Sequence, residues 1–200
     1  MNLTDLRTDC RIVELTNERK ITDFDCDDDD LNDFFNHDAI NYQNQWLGKT
    51  FYFEHKQTNR IVCAFSLAAD SLKTVLMPNN RRKKVKELVP NEKSLQSYPS
   101  FLIGRLGVSK EFTGQGIGSQ LMRYIKYHCV MHYPCFGRFL VIDAYNKADV
   151  LNFYQKNDFT FVFSTEQQER ENFRKSPDNT APLRTRQMFF DIMRWLNRIE

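Results

Sequence analysis

A chain of 200 residues has room for one domain, and its 41% hydrophobic and 27% charged residues are ordinary globular values that exclude disorder as the default state. A net charge of +2 makes no case by itself for nucleic acid, and the longest near-continuous apolar run, Ile61 to Ala69, falls far short of the roughly 20 residues a membrane span needs. Glycine is scarce, at 7 residues against 17 Phe, so any cluster of glycines is informative.

Arg11 to Leu15 reads as a first strand. An acidic run, Asp23 to Asp30, precedes Leu31, Phe34, Phe35, Asp38, Ala39 and Tyr42, whose spacing predicts an amphipathic helix. Aspartates at such a start suit the N-cap and the positive end of the helix dipole. Thr50 to Glu54 and Ile61 to Ala69 flank Gln57-Thr58-Asn59-Arg60 and predict a hairpin. Residues 78–98 are polar and basic and read as a helix-containing insertion. Its cluster Arg81, Arg82, Lys83, Lys84 and Lys86 fits either a phosphate backbone or a solvated helix face. Phe101 to Val108 reads as a buried strand and Gly114 to Tyr133 as a long helix with Ile117, Leu121, Tyr124, Ile125 and His128 on one face. Arg138 to Ile142 is a strand, Val150 to Lys156 a short helix and Phe159 to Phe163 a further strand. The polar stretch 164–184 reads as a connection or an acceptor-facing element, and Thr185 to Met193 as the closing strand. The expectation is a single α/β domain over 1–200, with a central mixed, twisted sheet flanked by helices.

The net charge conceals an asymmetry. Residues 1–50 carry −7 and residues 51–100 carry +5. The five cysteines are irregularly spaced, without a Cys-x-x-Cys, as in a reduced protein. The first residues show no basic and apolar leader, so a cytoplasmic location is expected. His128-x-x-x-His132 has helical spacing but lacks a metalloprotease glutamate and a third ligand, so no metal is expected.

Three of the seven glycines fall in Thr113-Gly114-Gln115-Gly116-Ile117-Gly118-Ser119, at the junction of the buried strand and the long helix. Glycines there let the backbone approach a ligand, and the helix start exposes unpaired N–H groups suited to a pyrophosphate. No Lys-Ser/Thr follows, which excludes a Walker A loop, and the surroundings do not fit a dinucleotide-binding unit. A tight turn is the alternative.

The segment Gly104-Arg105-Leu106-Gly107-Val108-Ser109-Lys110, this loop and Leu121-Met122 together resemble the acyl-CoA-binding core of the GNAT superfamily of N-acetyltransferases. Gly116 and Gly118 match the family loop, and Thr113 replaces its Arg/Gln. Val150 to Phe159 resembles a second family segment, with Tyr154 and Phe159 in place and Asp158 where glycine is usual. Lys147 stands where the family often has Asn, with Asn146 one residue off. The layout is similar to the toxin-like branch that acetylates aminoacyl-tRNA, through Phe24-Asp25-Cys26, the basic insertion, Gly104-Arg105-Leu106 and Phe153-Tyr154.

The resemblance implies a GNAT-like fold and direct acetyl transfer from acetyl-CoA to an amine. It implies backbone groups of Leu106, Gly107 and Val108 for the pantetheine arm, and those of Thr113, Gly114, Gln115, Gly116, Ile117, Gly118 and Ser119 for the pyrophosphate. It implies Tyr154 as general acid. No general base stands out, since Arg105 occupies a stretch where some relatives carry Glu. This favours an α-amine near pKa 8 over a lysine amine near 10.4. Aminoacyl-tRNA as acceptor, an antitoxin protein and a homodimer are the partners it raises. The alternatives are a metabolic or protein N-acetyltransferase and a non-catalytic acyl-CoA-binding module.

Overall fold

The computed structural model describes residues 3, 5–89, 95–132, 137–174 and 181–199. Two compact units are distinguished. The first comprises 1–68 and 103–128, and the second 69–102 and 129–200. Seven strands are hydrogen-bonded in the order β1-β2-β3-β4-β5-β7-β6, a mixed sheet.

The first unit opens with α1 (Leu6–Asp9) and β1 (Cys10–Glu14). Asp28 then caps α2 (Asp29–Asp33), its side chain accepting from Leu31 N, with Asp29 and Asp30 in the first turn. This is the role that helix-start electrostatics assign to part of the acidic run. The expected single helix is in fact three segments: α2, a π-helical turn at Phe34–Asp38, and α3 (Ala39–Asn44). The β2 (Lys49–His55) and β3 (Ile61–Lys73) strands form the expected antiparallel hairpin. Alternation along β2 gives the sheet two apolar faces. Tyr52 joins Val13, Leu15, Ile21, Phe24, Phe34, Phe35, Ala39 and Ala64 in one cluster. Phe51 and Phe53 point the other way, to His128 and Tyr124, with ring centroids 4.8 Å apart in each case. His128 is buried in this aromatic cluster and stacks on Tyr124, so its helical pairing with His132 is a packing pattern.

The second unit holds α4 (Asn79–Glu87), β5 (Phe139–Tyr145), α6 (Ala148–Lys156), β6 (Thr160–Phe161), α7 (Glu166–Glu169), β7 (Thr185–Asp191) and α8 (Ile192–Ile199). Its core gathers Leu72, Met77, Val85, Tyr98, Phe139, Val141, Val162, Phe163 and Phe189. The strand β4 (Ser97–Val108) and the helix α5 (Ile117–Met131) contribute residues to both units.

Three expectations are corrected in the second unit. The closing element is a strand followed by a helix: Asp191 Oδ1 accepts from Met193 N at 3.1 Å and starts α8 where the strand was expected to run on. The stretch 164–184 contains α7 and a π-helical turn at Arg170–Arg174. Glu169 and Arg170 of this stretch are buried. Residues 90–94 of the insertion, Tyr133 at the expected end of the long helix and residues 175–180 lie outside the described residues. In α4, Arg81 donates to the Phe161 and Val162 carbonyls, and Arg82 to those of Thr74, Val75 and Met77. These two cations hold backbone in place, which leaves Lys83, Lys84 and Lys86 as the outward part of the basic cluster.

Candidate active site

β4 pairs in parallel with β5 at Ser100–Phe139, Phe101–Leu140 and Leu102–Val141. Leu106 and Val108, at the end of β4, are half-buried.

The Phe24-Asp25-Cys26 segment packs over this stretch. A Cβ at Gly107 would stand 3.1 Å from Phe24 Cε1 and 3.2 Å from Cys26 Sγ, a tight approach that favours glycine there. Two asparagines fix the segment. Asn36 Oδ1 accepts from Phe24 N at 3.0 Å, and its Nδ2 donates to Phe24 O at 2.8 Å. Asn32 Oδ1 accepts from Cys26 N at 2.9 Å. Asp25 accepts from Lys110 Nζ at 2.5 Å and from Asn32 Nδ2 at 3.1 Å. The ammonium of Lys110, with a backbone N–H bond from Asp27, holds the Asp25 carboxyl down at about 2. These asparagines escaped the sequence reading because they sit inside a helix pattern, where only the Phe and Leu spacing carries a signal.

After β4, a 3₁₀ turn at Lys110–Phe112 leads into the glycine loop. Gly114 and Gly116 have φ of +78° and +75°, the left-handed region that L side chains avoid, and a Cβ at either would meet nothing within 4 Å. The loop is open on that side. The first backbone bond of α5 is Gln120 N to Gly116 O at 3.2 Å, which makes Gly116 the cap. The amides of Gly116, Ile117, Gly118 and Ser119 precede that bond and have no helical acceptor. Gln115 Oε1 accepts from Leu3 N and Gln120 Oε1 from Leu6 N, both at 2.9 Å, so side chains tie the start of the chain down and leave the amides as the loop's donors. Thr113, exposed, closes the turn with its N–H on Lys110 O at 3.4 Å. A Gly116→Ala substitution is expected to cost about 1–2 kcal/mol from backbone strain alone. Its melting temperature should fall by a few degrees, and the further stabilisation by acetyl-CoA should shrink.

Arg105, on β4 before this loop, lies with its guanidinium 5.1 Å from the Phe34 ring centroid and donates to Gly104 O at 3.0 Å. Its Nε is buried without a hydrogen-bond partner among the described residues. It is a cation where a general base would be sought.

Tyr154 belongs to the second unit, on the last turns of α6, and is 6% exposed. Its ring meets Phe153 and Phe159 edge-on, at 5.0 and 5.6 Å between centroids. Burial pushes its phenol well above the ordinary value, so it is a proton carrier throughout the neutral range. Asp158, where glycine was expected, has φ of +67°. That position needs the left-handed region, which glycine enters freely and Asp tolerates better than most residues. Asn146 donates to Glu166 Oε2 and Leu183 O, both at 2.9 Å, which is a structural role. Cys129 is held at about 12 by burial and is inert as a nucleophile. Among the described residues no group of three His, Cys, Asp or Glu side chains is placed to hold a metal ion.

Residues 86–161 match the family described as acetyltransferase (GNAT) domain. Over that span the chain resembles a GNAT acetyltransferase domain. The matched span takes in β4, the glycine loop, α5, β5 and α6 with Tyr154. Its fold is that of several solved structures. A tyrosine-to-phenylalanine mutant of KacT aligns with a TM-score of 0.65 and 16% identity, over 96% of this chain and 99% of that chain. AtaT complexed with acetyl-methionyl-tRNAfMet aligns with a TM-score of 0.67 and 16% identity, over 96% and 100%. AtaTR bound with AcCoA gives 0.65 and 16%, over 96% and 99%. At these identities the likeness is one of fold. No helix among the described residues is long and apolar enough to cross a membrane.

Proposed function

We propose that this acetyltransferase moves the acetyl group of acetyl-CoA to the α-amine of aminoacyl-tRNA, in the cytoplasm, as the toxin of a toxin–antitoxin pair. The observation that carries the acetyl-CoA part is the junction of β4 and α5. The end of β4 runs into a loop with two left-handed glycines and open amides at a helix start. These groups fit the two parts of the cofactor. Backbone groups of Leu106 to Val108 would pair with an amide-bearing pantetheine arm, and the amides of Gly116 to Ser119 would hold a pyrophosphate. Bound acetyl-CoA supplies a thioester carbonyl to the attacking amine and a thiolate as leaving group.

Tyr154 then holds the proton that the departing sulfur requires, at its phenol oxygen. Its raised value keeps that proton in place at neutral pH. The amine needs little help. An α-amine near pKa 7.8 is roughly one third neutral at pH 7.5, whereas a lysine amine near 10.4 is about one part in a thousand neutral. A site with Arg105 in place of a carboxylate suits the first and not the second. The tRNA and antitoxin parts rest on the shared fold with AtaT and KacT, whose solved complexes include acetyl-methionyl-tRNAfMet, the C-terminus of the antitoxin AtaR, and a KacTA–DNA complex.

The test is acetyl transfer from labelled acetyl-CoA to a panel of charged tRNA, free amino acids and lysine peptides. Charged tRNA should be acetylated at least about 100-fold faster than lysine peptides, following the neutral-amine fractions. Comparable rates on lysine peptides would overturn the acceptor assignment and leave the cofactor assignment standing.

A further inference from the structure

A cavity of about 330 Å³ in the first unit is lined by Arg11, Arg19, Tyr52 and Glu54. The acetyl-transfer reading makes no use of it. Three of the four residues come from one face of the β1–β2 ladder. Arg11 pairs with Glu54 and Val13 with Tyr52, so Arg11, Tyr52 and Glu54 lie on the same side of the pleat.

Tyr52 is 6% exposed and its ring is anchored in the core with Val13, Leu15 and Ile21. Its phenol makes no hydrogen bond among the described residues, although it lines the cavity. Burial and the Glu54 charge push it above its ordinary value, so it remains an O–H donor. Arg19 stands on a closed turn. Its N–H donates to Thr16 O at 3.2 Å and Thr16 Oγ1 at 3.1 Å, and Thr16 N donates to Arg19 O at 3.3 Å. The Arg19 guanidinium makes no ion pair among the described residues. Arg11 is committed, to Glu54 Oε2 and to Asn59 Oδ1, both at 2.8 Å.

The charge of Glu54 is therefore answered by Arg11. What remains, beside a Glu54 whose Oε2 is taken by Arg11, is a guanidinium without an ion pair and an O–H without a hydrogen bond among the described residues. Such a set calls for a ligand with paired acceptor oxygens and a single negative charge. A guanidinium fork matches a carboxylate in shape. Glu54 within the cavity and a net −7 over residues 1–50 oppose a multiply charged phosphate or a nucleic-acid backbone. We propose that this cavity binds a carboxylate group, with Arg19 meeting its charge and Tyr52 donating to one of its oxygens. The carboxylate belongs either to a small organic acid or to an acidic residue of a peptide, and its recognition is the same in both cases.

The full-length protein is titrated by calorimetry with hexanoate, with a short peptide carrying one Glu between lysines, and with inorganic phosphate. One carboxylate probe should bind saturably at one site, at least 10-fold tighter than phosphate. Arg19→Gln should weaken that binding at least 10-fold, and Tyr52→Phe several-fold. The thermal shift given by acetyl-CoA should be the same in both variants as in the parent. Tighter binding of the peptide assigns the cavity to a protein segment, and tighter binding of hexanoate to a small acid. No saturable carboxylate binding, equal binding of phosphate, or binding untouched by Arg19→Gln overturns the proposal. Arg19 is exposed, so that variant reads out the cavity even where Tyr52→Phe disturbs the core.

Discussion

Tyr154→Phe should lower kcat for acetyl transfer at least about 100-fold while leaving acetyl-CoA binding intact, the range expected when a general acid is removed. The proposed cofactor contacts are backbone groups of Leu106 to Ser119, none of which the substitution touches. The phenol makes no hydrogen bond among the described residues, so its loss leaves no orphaned partner and stability should change little. Thermal stabilisation by acetyl-CoA, measured beside single-turnover transfer, separates the two effects. A fall in kcat of less than about 10-fold would remove Tyr154 from proton transfer. The pH profile gives a second reading. A folded phenol raised above its usual value near 10 keeps its proton longer, so its acid form persists on the alkaline side. The rate should rise through pH 8 as the α-amine loses its proton, and no alkaline fall from Tyr154 should be seen below about pH 10. An alkaline limb centred near pH 8.5 would mean that another group carries the proton.

Glu169→Ala should destabilise the protein by about 3–5 kcal/mol, well beyond the cost of Gly116→Ala. Glu169 is completely buried and accepts from Arg186 Nε and from Gln187 N, both at 2.7 Å. Arg186 is itself buried, with its guanidinium 4.8 Å from the Phe161 ring centroid. Removing the carboxylate strands that guanidinium without its counter-charge and leaves the Gln187 amide without its acceptor. For a chain of this size the melting temperature should drop by about 10 °C. Replacing both partners, Glu169→Leu with Arg186→Met, should recover much of the loss, because two well-packed apolar groups carry no desolvation cost. A double variant as unstable as Glu169→Ala would show that the pair's value lies in its hydrogen bonds to backbone rather than in charge balance.

That ion pair marks a limit of sequence reading. Residues 164–184 look like a polar connection because periodicity registers apolar spacing, and a glutamate in a short helix carries the same weight whether it faces water or an arginine. The partner, Arg186, is 17 positions away in β7. Arg81 and Arg82 teach the same lesson in the opposite direction. In sequence they are two members of a basic cluster, and the carbonyls they hold, Phe161 and Val162 for one and Thr74, Val75 and Met77 for the other, include residues some 80 positions along the chain. A charge count cannot tell a cation bound to backbone from one facing solvent.

The site was more legible, because its signal is local. Left-handed backbone at Gly114 and Gly116 demands glycine at those positions, and the amides of a helix start need no distant partner. The Asp28 cap of α2 was readable for the same reason. Departures from the family pattern acquired physical meaning only in three dimensions. Asp158 occupies a left-handed position, which suits glycine, and Gly107 lies where a Cβ would crowd Phe24 and Cys26.

Sequence alone thus determined the hairpin, the strand–loop–helix junction, the glycines that its left-handed turns demand and the aromatic face of α5. Each is written in spacing over a few residues, where backbone geometry acts. Tertiary structure decided which charges are structural, that β7 lies between β5 and β6, and that Arg19 and Tyr52 face one cavity. Those outcomes depend on partners far apart in the chain, chosen by the cost of burying a polar group unpaired, and no local pattern records that choice.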